Sequence, residues 1–109
     1  MLACPAMAVF AVFTYNVTDP ERYAKYNPGS LPTVGATIAK HGGEIVFADG
    51  DAIYEEGAKK HVNVCIKFPS VDAVHAWEND PDYAPAKEHR LASTADYTVF
   101  FAKPMAPPE

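Results

Sequence analysis

Several features are scarce in this sequence, and each scarcity removes a class of function. Only two cysteines occur in 109 residues, Cys4 near the start and Cys65 inside a strand-like run. Their spacing suits neither a metal site nor a redox pair, so two free thiols in a reducing cytoplasm are expected. No segment approaches the roughly 20 apolar residues that a membrane-spanning helix needs, which excludes insertion as a helix. Basic residues are few: 9 Lys plus Arg stand against 14 Asp plus Glu, for a formal net charge of -5. With no basic run to neutralise a line of phosphates, nucleic acid is not an expected partner. The four histidines form no i, i+4 or short-loop pair with one another, so no metal site is expected. No phosphate-cradling glycine loop and no Gly-x-Ser-x-Gly elbow is present, and no cofactor is expected.

What is present is ordinary globular material. Hydrophobic residues make up 49% and charged residues 21%, close to typical usage, and the length suits a single domain with one core. Residues 1–8 read as a loose leader, residues 9–103 as the domain, and residues 104–109 as an extended tail because of Pro104, Pro107 and Pro108. Val9 to Val17 is dense in Val, Phe and Tyr on both parities and predicts a strand buried on both faces. Thr18-Asp19-Pro20-Glu21 is a helix start, with a capping side chain, a first-turn proline and an acid favoured by the helix dipole. Tyr23, Tyr26, Val34 and Ile38 carry the helical period onward, broken between its halves by Pro28-Gly29 and Pro32.

Gly42-Gly43 ends that helix, and Glu44 to Ala48 is a second strand. Val62, Val64, Ile66 and Phe68 alternate with His61, Asn63, Cys65 and Lys67, which predicts a two-faced third strand. Pro69 stops it, Ser70 caps the next helix, and Val71, Val74 and Trp77 form that helix's inward stripe. Asp80-Pro81 interrupts the helix and restarts it with Tyr83, Lys87 and Arg90 on one side. Tyr97 to Ala102 is a last strand. The order β-α-β-β-α-β predicts an α+β fold, a ferredoxin-like subunit whose two helical segments cover one face of a four-stranded antiparallel sheet. Because the first and last strands are apolar on both parities, the second sheet face carries Phe and Val that a partner has to cover, and a homodimer through the sheet faces is expected.

Asp19-Pro20 with Tyr23 and Tyr26, His41-Gly42-Gly43, Glu56-Gly57, Phe68-Pro69-Ser70, Trp77, Pro81-Asp82-Tyr83 and Arg90 together resemble the domain of unknown function 1330 family. That family belongs to the dimeric α+β barrel superfamily, and the match spans roughly Val9 to Ala102. The resemblance implies a ferredoxin-like subunit dimerising around an internal cavity, and it implies no particular reaction. Compared with that family, this chain has His89 where an apolar residue is usual, and Asn63 and Cys65 where apolar residues are common.

Strict alternation places Asn63 and Cys65 on the partner-facing side of the third strand, where a dimer would enclose a cavity for a small organic ligand. His89 is the candidate catalytic acid or base, since an imidazole titrates near neutrality. Arg90, on one face with Tyr83, is a candidate anion clamp, with pairing to Glu56 or Asp82 as the plainer structural role. The candidate binding residues are therefore Asn63, Cys65, Tyr83, Arg90 and Glu56. The tyrosines also offer hydroxyls to a developing oxyanion. These expectations favour cofactor-free proton transfer on a small organic molecule, as isomerase, cyclase or lyase. A non-catalytic ligand-binding or structural dimer and a cofactor-independent monooxygenase are the alternatives.

Overall fold

In the computed structural model, which describes residues 8–105, eight elements follow one another. The first strand, β1 (Val9–Val17), buries Val9, Ala11, Phe13 and Tyr15 and leaves Phe10, Val12 and Thr14 half-buried, so its alternate residues address two different surroundings. Asp19 caps α1 (Pro20–Tyr26) by accepting the Arg22 amide at 3.1 Å. The expected break falls at Asn27–Ser30, and α2 (Leu31–Lys40) follows with Pro32 in its first turn, where a missing N–H costs nothing.

Two glycines end α2 for two different reasons. Gly42 has φ +77, the left-handed exit that a Cβ disfavours. At Gly43 a Cβ would stand 2.6 Å from Ile38 Cγ2 and 2.7 Å from the Phe68 ring, so the bare backbone is what lets the chain dive beneath α2 into the sheet. Next come β2 (Glu44–Asp49), a long connection, and β3 (Val62–Phe68). Ser70 caps α3 (Val71–Glu78) by accepting the Ala73 amide at 3.1 Å.

The final helix differs from the sequence expectation. Asp80 accepts the Asp82 amide at 2.8 Å and forms a turn there instead of starting a helix, and α4 (Ala84–Ala92) begins after it with Pro85 in its first turn. The last strand, β4 (Thr94–Ala102), starts three residues before Tyr97. Asp96, at φ 58, lies beside the register shift between Thr14 and Asn16, and this bulge lets pairing continue back to Thr94.

The sheet order is β2-β3-β1-β4 and every pairing is antiparallel, the ferredoxin-like arrangement. Register sorts the side chains. Val9, Ala11, Phe13 and Tyr15 sit opposite Phe68, Ile66, Val64 and Val62, and this row faces the helices. Its core is completed by Val34 and Ile38 of α2, Val74 and Trp77 of α3, and Tyr83 and Ala86. Trp77 is the hub: it lies edge-on to Phe13, tilts against Phe68 and stacks on Tyr83 at 4.4 Å, while its Nε1 donates to Thr37 Oγ1 at 3.1 Å.

Phe10, Val12, Phe47, Cys65 and Phe100 share the other face. Among the described residues no helix covers them, and Phe47 and Phe100 remain 47% and 50% exposed.

Candidate functional site

Among the described residues, one partly enclosed space lies on the helix side of the sheet. A cleft of about 350 Å³ runs between α1–α2 and strands β2 and β3, with Val34 and Ile38 above, Val62, Val64 and Ile66 below, and Ala48, Asp49 and Gly50 at its mouth. Its walls are mostly apolar, and its polar feature is a pair of phenols, Tyr15 and Tyr23, whose hydroxyls meet at 3.0 Å. Burial pushes the Tyr15 and Tyr26 hydroxyls far above the ordinary phenol range. At neutral pH these groups therefore donate hydrogen bonds and do not abstract protons.

A smaller void of about 30 Å³ shares Tyr15, Tyr26, Val64, Ile66 and Trp77 with the cleft as lining. Phe13, Tyr83 and Arg90 complete its lining. Arg90 is only 5% exposed and is ringed by aromatic faces, with its guanidinium carbon 6.0 Å from the Phe13 ring centre, 5.9 Å from Tyr15 and 5.5 Å from Tyr97. Those contacts are cation–π attractions, and no carboxylate among the described residues pairs with it. Arg90 Nε and the Tyr83 hydroxyl are both buried without a hydrogen-bond partner. Burial pushes the Tyr83 and Tyr97 hydroxyls up despite the opposing pull of Arg90, so neither supplies a tyrosinate counter-ion. Burial works against the charge on Arg90 and the surrounding tyrosine oxygens favour it, and the guanidinium keeps its proton.

A second polar cluster ties the helices together. Asp80, 4% exposed, accepts from His41 Nε2 at 2.7 Å and Lys40 Nζ at 2.9 Å, locking the end of α2 onto the turn between α3 and α4. Lys40, then His41 and the Asp82 amide, hold the Asp80 carboxyl well below the usual carboxylate range. A depressed folded-state value means that this stabilisation is complete above the unfolded carboxyl value of 3.8 and is lost as pH falls from there toward the folded value. Thermal midpoints measured by circular dichroism should accordingly decline below about pH 4, and Asp80→Asn should lower the neutral-pH midpoint while flattening that acid limb. An unchanged acid limb in the variant would place the titration elsewhere.

The residues singled out in the sequence divide between the two sides of the sheet. Arg90 and Tyr83 come together at the small void. Neither carboxylate suggested for Arg90 reaches it: Asp82 pairs with Lys40 at 3.4 Å, and Glu56 is exposed in the β2–β3 connection. Asn63 and Cys65 do lie on the uncovered face, but the cleft is on the opposite one. Both ends of the Asn63 amide are committed, its Oδ1 accepting from the Tyr54 hydroxyl at 2.5 Å and its Nδ2 donating to the Asp49 and Lys60 carbonyls, so it pins the connection between β2 and β3. Cys65 is buried beside Phe47, and burial pushes its thiol up. His89 borders neither the cleft nor the void, and its Nδ1 is buried without a partner. Cys4 and most of the leader, with residues 106–109 of the tail, lie outside the described residues.

A four-stranded antiparallel sheet backed by helices on one face, with its cleft between the two layers, defines a ferredoxin-like α+β protein. More specifically, the chain belongs to the domain of unknown function (DUF1330) family, whose model matches residues 8–103. Among solved structures it is similar to a protein of unknown function from Rhodopseudomonas palustris, with 21% identity over 94% of this chain and 85% of that chain and a TM-score of 0.75. It is also similar to a dimeric protein of unknown function with a ferredoxin-like fold from Bacteroides fragilis, at 14% identity, 88% and 95% coverage and a TM-score of 0.61. A third is SnoaB, a cofactor-independent oxygenase from Streptomyces nogalater, at 20% identity, 94% and 100% coverage and a TM-score of 0.56. At such identities the likeness shows the fold alone. No curated protein matches the chain.

Proposed function

We propose that this protein binds a small, largely apolar organic molecule in the cleft between its helices and its sheet, as a cytoplasmic homodimer paired through the uncovered sheet faces. The observation that carries the binding reading is the cleft itself: about 350 Å³ of mostly apolar space with two phenol hydroxyls converging at its inner end. This is the size and character of a small-molecule site, with few polar groups to fix orientation. The buried free thiol of Cys65 suits a reducing compartment.

If the bound molecule reacts, the groups at hand are hydrogen-bond donors and a buried cation, which stabilise an oxyanion, and the reading asks for no cofactor. Such a cleft serves a substrate that ionises readily by itself better than one that needs a strong base. His89, away from the cleft, is not given the proton-transfer step in this reading.

Trp77, the single tryptophan, forms part of the cleft wall, so its fluorescence reports occupancy. Titration with a panel of aromatic and enolic compounds should give saturable quenching, and Ala48→Trp, which plugs the mouth, should weaken binding at least about ten-fold when read by calorimetry. Equal affinity in the plugged variant would move the ligand out of the cleft.

The dimer is supported by Phe47 and Phe100 standing half-exposed on a face that no helix covers. Sedimentation at micromolar concentration should give a dimer mass, and Phe100→Asp should give a monomer, because the charge would be desolvated against the partner sheet. A wild-type monomer would remove the pairing and leave the cleft reading standing.

A further inference from the structure

Arg90 is the most unusual group in the molecule. It is 95% removed from solvent, meets no carboxylate among the described residues, and leaves its Nε without an acceptor while the neighbouring Tyr83 hydroxyl is also unpartnered. A buried charge is ordinarily paired, and buried polar atoms ordinarily find partners, so two such omissions at one place mark a missing acceptor. The void against them measures about 30 Å³, more than the roughly 10–15 Å³ that one water needs. The oxygen of a small anionic group fits there. The rest of the molecule that bears it would lie in the larger cleft, which shares Tyr15, Tyr26 and Trp77 as walls.

We infer that the ligand of this cleft is an organic oxyanion, whose charged oxygen enters the void and accepts from Arg90 and Tyr83. The inference rests on the binding reading above and adds to it the charge of the occupant. Tyrosines from every element packed round the guanidinium, Tyr15 of β1, Tyr26 of α1, Tyr83 before α4 and Tyr97 of β4, are neutral donors or bare ring faces. Glu78 of α3 is felt at the Tyr83 hydroxyl, and the incoming oxygen would be the negative charge that faces the guanidinium itself. An enzyme built this way would hold its substrate in the electron-rich form and so lower the pH at which it ionises.

The test uses 4-nitrophenol, whose hydroxyl titrates close to neutrality and whose phenolate is yellow, alongside nitrobenzene, which has the same ring and nitro group without the hydroxyl, and benzoate. Spectrophotometric titration of the bound nitrophenol should show ionisation at least about one pH unit below that of the free compound, which means phenolate held about ten-fold tighter than phenol. The shift should vanish in Arg90→Gln while nitrobenzene binds both proteins alike, and benzoate should bind the wild type more tightly than Arg90→Gln. Nitrophenol bound with its ordinary or raised ionisation, while nitrobenzene also binds, overturns the oxyanion inference and leaves the cleft reading intact. Failure of both arenes to bind overturns both. The wild-type titration decides the matter even if Arg90→Gln does not fold.

Discussion

Trp77→Ala is expected to cost about 3–5 kcal/mol of folding stability, a large part of the roughly 5–15 kcal/mol that a domain of this size possesses. The indole is 3% exposed and touches each layer of the structure: Phe13 from β1, Phe68 from β3, Tyr83 from the turn before α4, and Thr37 from α2 through a hydrogen bond. Truncation removes the apolar burial and leaves a hole that these rigid rings cannot collapse to fill. The lost hydrogen bond is the smaller part, because the Thr37 hydroxyl still donates to the Val34 carbonyl at 2.8 Å. Trp77→Phe, which keeps a ring and breaks the same hydrogen bond, should therefore lose less than half as much. Urea unfolding followed by circular dichroism, at unchanged m-value, measures both. A phenylalanine variant as unstable as the alanine one would transfer the weight from packing to the hydrogen bond.

How much of this was legible in the sequence depends on what kind of fact a pattern can carry. The alternation from Val62 to Phe68 assigns residues to two faces, and the observed register places Phe13, Val64 and Ile66 together on the helix side as that alternation requires. Asp19 and Ser70 act as the caps their positions announce, and Gly42-Gly43 ends α2 as read. The side of the sheet that holds the cleft could not be read, because a void is an absence of packing between elements and no single residue encodes it. The sequence argument placed a cavity between paired sheets, where Asn63 and Cys65 point, and the single subunit has a cleft of its own under α2.

Asp80 was legible as the place where the helix breaks but neither as a turn former nor as a buried hub, since its partners Lys40 and His41 lie about forty positions earlier and meet it only through packing. Arg90 was legible as a candidate anion clamp beside Tyr83, but its burial was not, because its neighbours Lys87, Glu88 and His89 make that stretch of α4 look like a solvated surface. The available signal was the number of tyrosines: four of the six converge on this one guanidinium.

Arg90→Met is expected to make the unliganded protein more stable, by about 1–2 kcal/mol, and unable to favour an anion. Replacing buried ionic groups by apolar residues of similar volume is often neutral or stabilising by roughly 1–4 kcal/mol, and here no carboxylate repays the desolvation of the guanidinium. Attraction to the faces of Phe13, Tyr15 and Tyr97 offsets part of that cost, on the order of 2 kcal/mol for desolvated cation–π contacts, which places the net gain at the lower end. Methionine is flexible enough to fill the vacated space and has no N–H left unsatisfied against the void. Thermal unfolding should show a midpoint raised by several degrees, with the acid limb set by Asp80 unchanged because the two clusters do not share partners. The opposite trait should appear with nitrophenolate: the wild type gains stability as ligand is added, by mass action on the folded state, and the variant does not. A drop of more than about 1 kcal/mol in the variant would mean that the ring faces more than repay desolvation. Arg90 would then be a structural cation held for stability. A gain in stability with loss of anion binding instead assigns its burial to function, because the folded state then carries an unpaired charge whose counterpart arrives with the ligand.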